Sequence, residues 1–171
     1  MNSVELYNAS VDVLNAAVAV LDASSPLRAP ERRYVSVGEP ALDCDQLTVS
    51  ASVRPGLVAT NSVGLDAVRS NSRPRVLIAS FRVTLVRCGY PTVTDEGDPP
   101  DDADIEAAAA AIYADGWVLF DGLNAAARAG TIVGVSRCSE WSVDALDPVG
   151  AEGAVAGWVV SAQAMIPGST G

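Results

Sequence analysis

Residues 75–87, RVLIASFRVTLVR, limit the possible folds more than any other stretch of the chain. Leu77, Ala79, Phe81, Val83 and Leu85 fall on one side of an extended backbone, and Val76, Ile78, Ser80, Arg82, Thr84 and Val86 on the other. Side chains of a strand alternate with period two, so this is a strand whose faces are both partly apolar. At roughly 3.3 Å per residue it runs about 43 Å, well past the usual five or six residues. A strand of that length either bends or gives part of itself to a neighbour.

The remaining segments supply what such a strand packs on. Residues 3–22 place Val4, Tyr7, Val11, Leu14, Val18 and Leu21 in steps of three and four, an amphipathic helix that Pro26 stops. LRAPERRYVSVGEPAL reads as an extended connection, its Arg32–Arg33 pair either solvated or an intersubunit contact. QLTVSASV alternates Leu47, Val49, Ala51 and Val53 against polar partners and predicts a half-buried strand. Residues 54–74 form a connection too long to be idle: a binding or assembly segment, or an excursion partly helical at GLDAVRS. PPDDADIEAAAAAIYADGWVLFDGLNAAARAG carries an Asp cap, an acidic first turn and Gly130 past its end. It predicts a long helix buried through Ile105, Ala109, Ile112, Gly116, Leu119 and Leu123, with Gly116 marking close packing or a kink. CSEWSVDAL and AVAGWVVSAQAMIPG flank the turn-rich DPVGAEG and predict a hairpin, Trp158, Val160, Ala162, Ala164 and Ile166 sharing a face. The expected fold is therefore α+β over a single domain, 1–171: a mostly antiparallel sheet with an N-terminal helix and a second long helix against it.

Missing residue types narrow the chemistry. The chain has no His, and all eleven of its basic side chains are Arg. Triads with His, phosphate loops ending in Lys, Schiff-base lysines and His-ligated metals are thereby excluded. The nearest glycine cluster, GAEGAVAG, lacks nucleotide-binding spacing. TDEGDPPDDADIE is the one dense carboxylate cluster; its spacing does not fit a calcium loop, and it reads first as a solvated loop opening a helix. No catalytic residue, metal or cofactor is assigned. A net charge of −10 repels the phosphate backbone, so tight DNA binding is not expected. No apolar run approaches the ~18 to 20 residues that cross a bilayer, and the N-terminus lacks a basic lead, so a cytosolic product without a membrane role is expected. Cys44, Cys88 and Cys138 lack metal or redox spacing and read as three buried, reduced thiols, a Cys44–Cys138 bridge being the alternative.

RRYVSVGEPALDCDQLTVS, FRVTLVRCGYP, DDADIEAAAAAIYADGW and GWVVSAQAMIPG, in this order, resemble neck proteins of long-tailed actinobacterial phages, and most of all their tail terminators. The resemblance spans nearly the whole chain through loose motifs. It implies a small α+β subunit of a homohexameric ring in the virion, built in the host cytoplasm. Such a ring caps the tail tube, meets the head-side connector or stopper protein and lets DNA pass without specific binding. A stopper or adaptor, or a small non-catalytic binding domain, are the competing readings. Under the ring reading, strand 75–87 and loop 54–74 form the subunit interface, with Arg75, Arg82, Arg87, Leu57, Val63 and Leu65. Asp66, Asp95, Glu96 and Asp98 turn toward the channel.

Overall fold

A computed structural model describes residues 2–56, 76–93, 97–132, 140–152 and 155–166. Along the chain these form α1 (Ser3–Ser24), β1 (Arg32–Ser36), β2 (Gln46–Gly56), β3 (Val76–Cys88), α2 (Asp102–Arg128), β4 (Glu140–Glu152) and β5 (Val155–Ile166). The strands make one mixed sheet in the order β1-β2-β3-β5-β4, antiparallel except for β1 against β2. Both helices pack on one of its faces, giving the expected α+β architecture in two layers.

The thirteen-residue strand needs neither a bend nor a neighbouring subunit to explain its length. β3 lies at the centre of the sheet, paired along eleven positions to β2 and along twelve to β5. Its backbone is thus satisfied from end to end within the chain. Ala79, Phe81, Val83 and Leu85 are fully buried beneath the helices, as the alternation predicts. So are Val160 and Ala164 beside them on β5.

Helix boundaries follow their capping chemistry. Asn2 and Glu5 form a reciprocal capping box at the start of α1, and Asp101 accepts from the Ala103 N–H at the start of α2. Gly116 is a point of close packing: a side chain there would meet the Trp158 ring at 2.7 Å, and α2 continues through it unbroken.

Four readings need correction. The segment taken as an extended connection contains β1, five residues that pair in parallel with the first half of β2. Segment 37–45 then crosses the sheet face opposite the helices, which is why Gln46, Thr48 and Thr84 are buried although their side is polar. Gln46 donates from Nε2 to the Ala41 carbonyl on that segment, at 2.7 Å. The inner face of α1 is Ala9, Ser10, Val13, Leu14, Ala17 and Leu21, while Val4 and Tyr7 are exposed. Small residues allow the helix to lie close on the sheet, and packing outranks the size of individual apolar side chains. β4 runs through Asp147-Pro148-Val149 instead of turning there. Pro148 is tolerated because β4 is an edge strand, and two register shifts absorb the irregularity. Finally, α1 is long and apolar enough, by length and composition alone, to cross a membrane, its alanines adding to the apolar share. In this fold one side of it packs on the sheet.

Candidate functional site

The β2–β3 hairpin delivers the longest connection of the chain to one end of the sheet. Pairing runs from Gln46↔Val86 to Gly56↔Val76, so the residues that flank segment 57–75 are held side by side. β1 covers β2 only from Gln46 to Ser50. From Ala51 to Gly56 the outer edge of β2 has no strand partner among the described residues, and Val53 there is exposed. An unpaired strand edge is a template for pairing with another chain. Four of the expected interface residues, Leu57, Val63, Leu65 and Arg75, lie outside the described residues, as do Asp66, Asp95 and Glu96.

Arg82 occupies the sheet face away from the helices. It is half-exposed and 3.3 Å from Glu39 on the crossing segment, a pair that water screens. Arg54, on the same face, reaches Gln163 at 3.4 Å. With Ser50, Ser52 and Ser80 around them, these residues make a polar, partly open surface beside the bare edge of β2. Asp98 is exposed ahead of α2.

Arg87 departs from the expected interface role. Five residues from Arg82, it falls on the helix side of the sheet and is 5% exposed. Its Nε donates to Asp115 Oδ2 at 2.7 Å, Nη1 to Asp45 Oδ1 at 3.1 Å, and Nη2 to the Arg28 carbonyl. Asp115, fully buried on α2, also accepts from the Ser25 hydroxyl just past α1. One guanidinium thus ties together β3, α2, the start of β2 and the end of α1. Each of its three nitrogens donates once within the chain, three of its five N–H groups, so the burial is locally compensated.

The cysteine expectation also changes. Cys44 and Cys88 are joined by a disulfide, with Cα atoms 5.2 Å apart, inside the normal span for a bridge. Both residues are exposed, and Cys138 lies outside the described residues. Extending the β2–β3 register by two places sets Asp45 opposite Arg87 and Cys44 opposite Cys88. Covalent and ionic links therefore close the same end of the hairpin. Nearby, the Cys44 N–H and then Arg32 hold the Asp43 carboxyl below its ordinary value of 3.8.

Among the described residues no group of three or more Cys, Asp or Glu side chains is placed to hold a metal ion. No protein-family model matches the sequence, and no curated protein is similar to it.

Proposed function

We propose that this chain is a structural subunit of a phage neck, a tail terminator that forms a ring on the end of the tail tube and joins it to the head-side connector. The observation that carries this reading is the β2–β3 hairpin end: a nineteen-residue segment, 57–75, follows the paired Gly56 and precedes the paired Val76, beside six residues of strand edge, 51–56, that have no strand partner among the described residues. A segment of that size at a bare edge suits assembly between copies. The contact is assigned to the edge 51–56, the segment 57–75 and the polar face with Arg82, since β3 itself is paired on both sides.

On this reading six copies close a ring, and the carboxylates Asp66, Asp95, Glu96 and Asp98 turn toward a channel through which DNA slides without specific contacts. A carboxylate lining opposes phosphate binding within a screening length of about 8 to 10 Å. The exposed Cys44–Cys88 bridge fits a particle that matures in the reducing host cytoplasm and persists outside it, where disulfides are stable.

The test is deletion of residues 57–70 in the phage. Residues 71–75 remain to close the hairpin at Gly56↔Val76, a loop length that hairpins accept. The variant is expected to fold, by circular dichroism, and to leave tails unjoined to heads. Normal virions from the deletion would refute the assignment. Native mass spectrometry separates the competing classes: a ring argues against a small binding domain, and a gene position just upstream of the tail-tube gene argues for a terminator over a stopper.

A further inference from the structure

On the solvent side of the helical layer a groove of about 920 Å³ runs between α1 and α2. Its walls are small and apolar: Ala16, Ala19 and Ala23 from α1, Gly122 and Ala125 from α2. Val20 sits where a Gly122 side chain would be, which sets how closely the helices approach. Trp117 also lines the groove, 61% exposed, and Tyr113 one turn earlier is 65% exposed. Large aromatic surface left in water beside an apolar groove marks an interaction surface.

The charges around it are of one sign. Asp12 and Asp121 are the charged side chains lining the groove, one from each helix. Apart from Arg128 in the last turn of α2, neither helix carries a cation, while Asp or Glu recurs along both. We propose that this groove docks a basic amphipathic helix of a partner protein.

A helix fits because small wall residues let a third backbone approach two others, the arrangement by which amphipathic helices enter grooves. Its apolar face covers Ala19, Ala23 and Ala125; flanking Lys or Arg side chains meet Asp12 and Asp121. One of them over the Trp117 ring adds a cation–π contact. A second copy presenting this face brings carboxylates against carboxylates. An anionic lipid surface is repelled by the same charges, since surface-binding helices are basic on their polar side. This inference concerns the helical layer and is independent of the hairpin-end reading.

The probe is a fluorescein-labelled synthetic amphipathic helix with Leu on one face and Lys on the other, titrated with the full chain and read by anisotropy. A charge-reversed copy with Glu for Lys serves as control. The Lys peptide is expected to bind, to weaken with added salt, and to lose about tenfold in affinity on the Asp12→Asn/Asp121→Asn variant. Ala19→Glu is the decisive variant, because it fills the groove while making the protein more negative. Loss of binding there, with an unchanged circular dichroism spectrum, supports the groove. Undiminished binding to Ala19→Glu means general charge attraction and overturns the proposal. Equal binding of the Glu peptide, no binding of either peptide, vesicle binding that the Lys peptide does not displace, or a dimer that Ala19→Glu dissociates would overturn it too.

Discussion

The Arg87–Asp115 pair makes the strongest test of how this fold is held together. Removing one member of a buried ion pair strands the other charge and costs about 3–5 kcal/mol, whereas replacing both by apolar groups is often close to neutral. The two positions are not equivalent here. With Asp115→Leu, Arg87 keeps Asp45 at 3.1 Å, whose side chain is about half exposed, so the loss should lie near the lower end. With Arg87→Met, Asp115 is fully buried and retains only the Ser25 hydroxyl, so the loss should reach the upper end. The double variant removes both charges but leaves the Ser25 hydroxyl and the Arg28 carbonyl without these partners, a cost of about 1–3 kcal/mol. Singles near 3 and 5 with a double near 2 correspond to a coupling of about 6 kcal/mol, far from additivity. Urea unfolding followed by circular dichroism reads this directly: at a slope of about 2 kcal/mol per molar, each single lowers the midpoint by roughly 1.5–2.5 M. Additive losses, or singles below about 1 kcal/mol, would show that the pair is not a buried unit. An unchanged midpoint for Arg87→Met would show that Arg87 is not part of the structural core and would return it to the interface that the proposed ring requires.

Four further outcomes follow from local geometry. Gly116→Ala gains about 1 kcal/mol of helix propensity but drives a methyl into the Trp158 ring, which its Nε1–H bond to the Ile112 carbonyl at 2.6 Å holds in place. Overpacking of this kind costs about 1–3 kcal/mol, so calorimetry should show a Tm lower by a few degrees. Asn2→Ala removes the capping box and should cost about 1 kcal/mol, seen as lower amide protection in the first turn of α1. The Cys44–Cys88 bridge closes a separation of 44 residues, worth about 4 kcal/mol in the chain-entropy model. Peptide mapping of the purified protein should find Cys44 joined to Cys88, and reductant should lower the Tm; bridging to Cys138 would contradict the register. Asp43 should titrate below 3.8 by NMR, chiefly through the Cys44 N–H, so Arg32→Ala raises its pKa only part of the way back. Because the folded pKa is depressed, its contribution is complete above about 3.8 and is lost as pH falls through the lowered value.

Elements with a strong period or strong caps were legible in the sequence. β3, the β5 face and α2 were each specified by several signals that agree, and the structure has all three. β1 was not legible. Five residues with two arginines and a tyrosine carry little alternation, and pairing in parallel with β2 is a tertiary event that no local pattern encodes. α1 was recognised as a helix and Leu14 and Leu21 as part of its inner face, but the stripe is completed by Ala9, Ser10, Val13 and Ala17 instead of Val4 and Tyr7; the small ones weigh little on a hydropathy scale yet permit the closest approach. The length of β3 misled for a related reason: a strand is long when its partners are long, and β2, read as QLTVSASV, continues past Val53 to Gly56.

The candidate site was legible only where a position could be placed on a face, and there a signal was left unused. Counting in twos from Leu77 puts Arg87 on the same side as Phe81 and Leu85, the side already assigned to the core. Counting in threes and fours along α2 puts Asp115 in line with Ile112, Gly116 and Leu119, again on the buried stripe. A permanent cation and a carboxylate, each on the dry face of its own element, can remain charged there only by meeting. Arg82, on the opposite parity, has no such constraint and is the arginine of the strand left available to a partner. The disulfide needed more than parity. Only the β2–β3 register sets Cys44 opposite Cys88, and register is decided by how a long hairpin settles against two helices, not by the spacing of cysteines along the chain.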